Sequence, residues 1–272
     1  MTGASNGKHM TNNIVQFKPM NIPAMILAAG RGTRLKDLTA DTPKPLVSVG
    51  GVQPLVRSLG LLEKAGYTHL YANAWYHAEQ IEKAVTHFNK AATTATAMAI
   101  REENLLDTGG GIKNAMEVFG AKAPFLAVNG DLIWSEETHP ILGNLPRLFD
   151  DRTMDALLLL VPTEKAMGYA GKGDFFLGEV AENGVGSLKW RGDAPSAPYV
   201  YACIQVLHPR LFIGTPNEPF AMGSLYRKAS AEGRLYGIVY QGQWADMGTP
   251  EGMTLAAGML KTLHPNGVAA RL

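Results

Sequence analysis

The chain has 272 residues, of which 46% are hydrophobic, and this is enough to bury the core of one large α/β domain or two small ones. Its 25 basic and 24 acidic side chains leave a formal net charge of +1, which excludes a strong long-range attraction to nucleic acid or to an anionic membrane. The single cysteine, Cys203, excludes an internal disulfide and a cysteine metal cluster, and its apolar surroundings favour a buried, inert thiol.

The two ends of the chain carry no targeting or membrane signal. Residues 1–22 contain no apolar h-region, and no stretch approaches the roughly 20 apolar residues that a membrane span needs. We interpret residues 1–22 as a disordered arm or a cloning remnant, residues 23–265 as a single domain, and residues 266–272 as a tail. The protein is expected in the cytoplasm, without a nucleic-acid or membrane partner, and the sequence leaves its oligomeric state open.

In the first half of the chain, apolar runs of strand length alternate with amphipathic stretches of helix length. The pattern predicts strands at 23–29, 70–74, 95–101, 125–129 and 155–161, and helices at 54–65, 78–88 and 111–118. This order favours an α/β fold with a Rossmann-like, mixed but mostly parallel sheet that has helices on both faces. In such a sheet the ligand binds at the carboxyl ends of the strands.

The second half of the chain has a different pattern. Residues 173–180 and 185–190 are typical of a β-hairpin that turns at 182–184. Further strands are predicted at 199–207 and 234–240, with helices at 220–231 and 250–263. We expect these strands to add a small antiparallel lobe that faces the substrate.

The first predicted strand runs into a glycine-rich loop, LAAGRGTRL at 27–35, which TPKPL follows at 42–46. Small residues let the backbone approach a ligand, and consecutive N–H groups in such a loop form a cradle for an anion. Arg34 and Lys44 can reach phosphate oxygens, and the flanking prolines hold Lys44 in an extended segment. The glycines alone fit a tight strand-to-helix turn equally well. The loop matches neither the dinucleotide fingerprint nor the Walker A pattern, which disfavours an NAD-dependent oxidoreductase.

Two aspartates follow apolar segments at predicted strand ends. Asp131 comes directly after the strand at 125–129, and Asp246 follows Trp244. Transfer of a nucleotidyl group concentrates negative charge on phosphate oxygens, and Mg²⁺ held by one or two carboxylates would offset that charge. Each aspartate could instead be an ordinary turn residue or a helix cap, and the sequence alone does not bring the two together.

The glycine-rich loop and the TPKPL segment together resemble the signature of the sugar-1-phosphate nucleotidyltransferase family. Further matches are LDTGGGI at 106–112, VNGD at 128–131 and WADMGT at 244–249, so the resemblance covers residues 24–263. Within the family the chain is most similar to the N-acetylmuramate α-1-phosphate uridylyltransferases, through the triple glycine at 109–111, GKGDF at 171–175 and VLHP at 206–209. It resembles the mannose-1-phosphate guanylyltransferases less closely. The hexapeptide repeats of longer relatives are absent from the sequence, so a fused acyltransferase is not expected.

The resemblance implies roles for residues that match the family's motifs. Arg34 would steady the departing β- and γ-phosphates, Lys44 would contact phosphate in the reacting complex, and Asp131 and Asp246 would hold Mg²⁺. The residues expected to bind the nucleotide are Ala28, Ala29, Gly30, Arg31, Gly32, Thr33, Asp107, Thr108, Gly109 and Gly110. For Asp107 and Thr108 a helix N-cap is an equally good interpretation.

The resemblance is weaker on the sugar side. Asn129 is expected to contact the ribose or the sugar phosphate, and Asp174 to border the sugar pocket, although an ordinary hairpin-edge charge would explain Asp174 as well. Many relatives hold the sugar phosphate with a lysine in an E-K-P segment, and this chain lacks that motif. Lys189 and Arg191 lie near the corresponding place, and either could supply the cation; Lys172 is a further candidate.

These observations predict an Mg²⁺-dependent enzyme that joins an NTP to a sugar 1-phosphate by direct in-line displacement and releases pyrophosphate. The branch resemblance favours UTP and N-acetylmuramate 1-phosphate. Alternatives with the same chemistry are mannose 1-phosphate with GTP and phosphocholine with CTP. A non-catalytic nucleotide-sensing subunit is a different class of function, and the presence of both cations and both aspartates disfavours it.

Overall fold

The computed structural model describes residues 20–265, and its core is one nine-stranded sheet in the order β3-β2-β1-β4-β9-β6-β10-β8-β7, beside a separate two-stranded sheet of β5 and β11. The strands are β1 (Ala24–Leu27), β2 (His69–Ala74), β3 (Thr96–Arg101), β4 (Phe125–Asn129), β5 (Leu132–Trp134), β6 (Ala156–Pro162), β7 (Phe175–Val180), β8 (Val185–Trp190), β9 (Tyr199–Leu207), β10 (Leu235–Val239) and β11 (Trp244–Asp246). The helices are α1 (Pro54–Lys64), α2 (Ala78–Ala91), α3 (Asp107–Val118), α4 (Gly223–Ala231) and α5 (Pro250–Leu263).

The strand directions confirm the expected mixed, mostly parallel sheet. Strands β3, β2, β1 and β4 are paired in parallel, β9 is antiparallel to both β4 and β6, and β10 is parallel to β6. The hairpin of β7 and β8 is antiparallel and forms one edge of the sheet. Only β8 and β9 therefore run opposite to the other strands of this sheet.

Helices cover both faces of the sheet, as the sequence pattern predicted. Alternate side chains of β4 point to opposite faces: Leu126 belongs to the core under α1 and α2, whereas Ala127 belongs to the core under α3 and α4. Strand β6 is buried on both faces throughout, which explains why its sequence is a continuous apolar run. Within residues 20–265, no helix is both long and apolar enough to cross a lipid bilayer.

The structure differs from the predicted elements in three places. Helix α3 begins at Asp107, one turn before the predicted start at 111. Helix α4 begins at Gly223, because the backbone of Phe220 pairs with the start of α3 and so cannot be helical. The short strands β5 and β11 were not predicted as a pair, since three residues are too few for a periodic signal. Most of the predicted arm and the whole predicted tail lie outside the described residues.

The register between β5 and β11 brings Asp246 next to the segment that contains Asp131. Trp244 lies opposite Trp134, and Asp246 lies opposite Leu132, the residue that follows Asp131. A buried hydrogen bond supports this ladder from below: the Arg57 guanidinium of α1 donates to the Trp134 carbonyl oxygen at 2.8 Å. Two segments that are far apart in the sequence are thus fixed side by side.

We expect Leu126→Ala to lower the free energy of unfolding by about 3 kcal/mol, because it would remove a fully buried side chain and leave a cavity beneath β4. The matched control is Leu255→Ala on α5, whose side chain is 39% exposed and should lose less than about 1 kcal/mol. Urea-induced unfolding of both variants measures the difference. Equal losses in the two variants would contradict the described core.

Candidate active site

A cavity of about 640 Å³ opens at the carboxyl ends of the parallel strands β1, β2, β3 and β4. This is where an α/β sheet of this kind binds its ligand. The predicted site residues that line it are Ala29, Gly30, Gly32, Thr33, Arg34, Lys44, Asp107, Thr108, Asn129 and Asp131. It is also lined by Leu27, Pro45, Asn73, Glu102, Leu105, Pro219 and Gly248, which the sequence analysis did not single out.

The glycine-rich loop is shaped by close backbone contacts. Gly32 has a φ of 65°, in the left-handed region, and a Cβ there would lie 2.9 Å from the Cβ of Lys44. Only glycine fits this position without displacing Lys44. Arg31 lies outside the cavity lining, and its guanidinium sits 4.7 Å from the centre of the Trp75 ring, where it can tie the loop to the end of β2.

A buried chain of hydrogen bonds connects this loop to the next two strands. The Ala28 N–H donates to Asn73 Oδ1 at 2.7 Å, and Asn73 Nδ2 donates to Glu102 Oε1 at 2.7 Å. Burial raises the pKa of the Glu102 carboxyl, and the hydrogen bond from Asn73 opposes this shift. Ala28 therefore acts on the site through its backbone. Asn73 and Glu102 could have been found from the sequence as polar residues at the ends of two predicted parallel strands.

The start of α3 forms another wall. Asp107 has a φ of 58° and lines the cavity together with Thr108. The N–H groups of Gly109 and Gly110, by contrast, both donate to the Phe220 carbonyl oxygen, and neither residue lines the cavity. The lack of a side chain allows close packing against Phe220, since a Cβ on Gly109 would collide with its ring. These two glycines thus shape the wall instead of presenting free N–H groups to a base.

Both predicted cations, Arg34 and Lys44, line the cavity. Lys44 is almost completely buried, and its Nζ lies 2.5 Å from Asp131 Oδ2. Arg34 is exposed and lies over Gly248, where a Cβ would come within 2.8 Å of Nη1. A side chain at position 248 would therefore push the guanidinium away from the cavity.

The two aspartates predicted to hold a metal lie on neighbouring segments, and Asp131 lines the cavity whereas Asp246 does not. The β5–β11 register places Asp246 beside Asp131, and Asp246 Oδ1 accepts a hydrogen bond of 2.8 Å from the Gly248 N–H. The thiol of Cys203 responds to this arrangement: burial raises its pKa well above the usual value, and the charges of Asp131, Asp246 and Asp174 raise it further.

The donor set fits Mg²⁺ that is shared with a substrate. Asp131 and Asp246 each keep one carboxylate oxygen that no residue of the described part of the chain hydrogen-bonds. Within residues 20–265, no group of three or more His, Cys, Asp or Glu side chains could hold a metal ion by itself. Mg²⁺ commonly takes one or two carboxylates and completes its shell with phosphate oxygens and water, so two aspartates at a phosphate cavity suit it.

On the sugar side, the structure separates the predicted residues. Asp174 Oδ2 accepts a hydrogen bond of 3.0 Å from the Tyr201 N–H, and burial raises the pKa of the Asp174 carboxyl while Arg191 lowers it. Arg191 Nε donates to the Gly173 carbonyl oxygen at 2.9 Å, so it also braces the loop before β7. Lys189 lies elsewhere, because alternation along β8 turns it to solvent in a separate groove beside Trp190.

Comparison with known proteins identifies the family. The model of the nucleotidyl transferase family matches residues 23–171. The N-acetylmuramate α-1-phosphate uridylyltransferase of Caulobacter vibrioides is 32% identical over 87% of this chain and 96% of the relative, and the mannose-1-phosphate guanyltransferase beta-A of Xenopus laevis is 24% identical over 91% and 68%. A crystal structure of UDP-glucose pyrophosphorylase complexed with UDP-glucose has the same fold, with a TM-score of 0.72 at 18% identity over 89% of this chain and 99% of that one.

The match of the family model covers more than half of the chain, and the similarity to the uridylyltransferase extends along almost the whole of both proteins. The resemblance predicted from the glycine-rich loop and its companion motifs is thereby confirmed. The chain therefore belongs to the nucleotidyl transferase family, as a sugar-1-phosphate nucleotidyltransferase.

Proposed function

We propose that this protein transfers the uridylyl group of UTP to N-acetylmuramate 1-phosphate, with Mg²⁺ as cofactor, and releases pyrophosphate. A sugar phosphate oxygen forms a bond to the α-phosphorus, and the bond from that phosphorus to the bridging oxygen of the β-phosphate breaks. The leaving pyrophosphate takes the electron pair. The sugar phosphate is already an anion at neutral pH, so the reaction needs no covalent intermediate on the protein.

The observation that carries the proposal is that Arg34, Lys44 and Asp131 line one cavity, while Asp246 lies on the strand paired next to Asp131. Arg34 lies where it can stabilise the charge that develops on the departing pyrophosphate, and Lys44 can position the α-phosphate. Backbone N–H groups of the loop from Gly30 to Thr33 would hold the triphosphate. Mg²⁺, held by Asp131 and Asp246, would supply charge neutralisation and a common point of attachment for both substrates.

The base is proposed to bind between β3 and α3, where Glu102 faces the cavity. An ionised carboxylate can only accept hydrogen bonds, so it pairs with a base edge that presents an N–H donor. Uracil and guanine both present a ring N–H on their pairing edge, whereas cytosine and adenine present an unprotonated ring nitrogen there. Glu102 therefore supports a uridine or guanosine nucleotide, which agrees with the two classes of relative described above.

The sugar is proposed to bind on the side of Asp174 and Arg191. The Asp174 carboxylate keeps an oxygen that can accept a hydrogen bond from a sugar hydroxyl, and Arg191 is the nearby cation that could contact the sugar phosphate. The uridylyltransferase relative supports N-acetylmuramate 1-phosphate as the acceptor. A cytoplasmic location belongs to the same proposal, because the substrates are a nucleoside triphosphate and a phosphorylated sugar.

A second candidate is guanylyl transfer to mannose 1-phosphate, which the Glu102 carboxylate and the guanyltransferase relatives also favour. The two candidates differ in both substrates, so one experiment separates them. Pyrophosphate release is measured with Mg²⁺ for UTP, GTP, CTP, dTTP and ATP, each against the 1-phosphates of N-acetylmuramate, N-acetylglucosamine, glucose and mannose. Turnover with UTP and N-acetylmuramate 1-phosphate alone is the expected result. The absence of pyrophosphate release in every combination would contradict both candidates.

We expect Asp131→Asn to lower kcat at least about a hundredfold, because it removes a metal-binding charge while keeping the shape of the side chain. The far-ultraviolet circular dichroism spectrum and the thermal midpoint should stay close to wild type. The control is Glu117→Gln, which neutralises an exposed carboxylate on α3 and should retain full activity. Near-wild-type turnover by Asp131→Asn would rule out the metal assignment.

We expect Glu102→Gln to weaken the preference for UTP over CTP by about tenfold, since an amide can donate to the cytosine ring nitrogen as well as accept. The same change removes a buried charge, so the thermal midpoint should be equal to wild type or higher. The ratio of kcat/KM for the two nucleotides is the measurement. An unchanged ratio would show that Glu102 does not read the base.

A further inference from the structure

Lys113 lies on the second turn of α3, and its ammonium group makes all of its hydrogen bonds to one surface segment. Its Nζ donates to the carbonyl oxygens of Thr215 and Pro216, both at 3.1 Å, and to Asn217 Oδ1 at 2.6 Å. An ammonium has three N–H donors, so each of them has a partner within the same three residues. None of these partners belongs to a helix or strand, and a side chain of α3 thus tethers an otherwise irregular segment.

The tethered segment, residues 213–222, leads directly to the nucleotide cavity. Pro219 lines the cavity, as do residues of the glycine-rich loop. After Pro219, the backbone of Phe220 pairs with the start of α3: its N–H donates to the Leu106 carbonyl oxygen at 3.2 Å, and its own carbonyl oxygen accepts from Gly109 and Gly110. The Met222 N–H then donates to Thr108 Oγ1 at 3.1 Å.

The segment is therefore fixed at two places, on either side of Pro219. The contacts around Phe220 fix the part after it, and Lys113 fixes the part before it. Gly214, with a φ of 78°, and its exposed neighbour Ile213 lie before the tether and contribute little packing of their own. Without Lys113, the stretch from 213 to 218 would keep three hydrogen bonds to other described residues. All three hold only its start: the Ile213 N–H donates to the Arg210 carbonyl oxygen, and the N–H and hydroxyl of Thr215 donate to the Phe212 carbonyl oxygen.

We propose that Lys113 is a positioning residue for nucleotide binding: it holds the 213–222 segment against α3, so that Pro219 and the Asp107–Thr108 turn form a preorganised wall of the base pocket. The assignment rests on the proposed function, because it takes the cavity to be the nucleotide site. Lys113 itself does not line the cavity and touches no substrate. Ordering a segment when the ligand binds costs conformational entropy and lowers the affinity. A segment that is already ordered avoids this cost.

The test compares wild type with Lys113→Met, which keeps the helix propensity and the aliphatic stem but removes all three hydrogen bonds. We expect KM for the NTP to rise about tenfold, in line with the loss of hydrogen bonds to a charged group, while kcat and KM for the sugar 1-phosphate stay within about twofold. Amide hydrogen exchange of the substrate-free protein should accelerate in peptides covering 213–222 and remain unchanged in β4 and β6. Lys113→Arg should restore most of the NTP affinity.

Two further variants sharpen the test. Lys122→Met removes an exposed lysine just beyond α3 and should leave both kinetics and exchange unchanged. Asn217→Ala removes one of the three bonds, so its effect on the KM for the NTP should be smaller and should largely vanish in the Lys113→Met background. Accelerated exchange in 213–222 with an unchanged KM for the NTP would overturn the assignment, as would equal losses in kcat and in both KM values. A wild type without turnover on any NTP would overturn the proposed function and this assignment with it.

Discussion

The site depends on the antiparallel pairing of β5 with β11. Each strand has three residues, and neither could persist alone. Their ladder nevertheless fixes Asp246 opposite Leu132, and hence beside Asp131. The buried Trp134 and the Arg57 guanidinium below it keep this ladder in one register. A slip of one residue would turn Asp246 to the opposite face, so the proposed metal site depends on the packing beneath it as much as on its two carboxylates.

The sequence predicted the large elements well because their apolar residues recur with a clear period. The ranges of β4, β8, β9 and α5 agree with the structure residue for residue, and most other ends differ by one or two. Most of the predicted cavity residues were found because they follow strands or form a compact motif: Ala29, Gly30, Gly32, Thr33, Arg34, Lys44, Asp107 and Asp131. Local patterns of this kind survive in a single sequence.

The features that the sequence did not predict are contacts between segments that are far apart in the chain. The Asn73–Glu102 hydrogen bond joins the ends of two strands, and each residue taken alone is an ordinary polar side chain. The hydrogen bond from the Gly109 N–H to the Phe220 carbonyl oxygen depends on a segment more than a hundred residues further along the chain. Lys189 and Arg191 look equivalent in sequence, and they differ because β8 ends at Trp190, so that Arg191 lies beyond the strand and hydrogen-bonds to the Gly173 carbonyl oxygen. Such distinctions follow from the register of paired segments, which composition and spacing do not encode.

The balance of charge in the cavity explains why a nearly neutral protein can bind a triphosphate. The chain as a whole has a net charge of +1, so no strong field draws anions from a distance. Arg34 and Lys44 line the cavity together with the carboxylates of Glu102, Asp107 and Asp131, and Lys44 is already paired with Asp131. Side-chain charge alone therefore gives little net attraction for phosphate. In the proposed function, oriented backbone N–H groups of the glycine-rich loop and an Mg²⁺ ion at the two aspartates would supply the missing attraction.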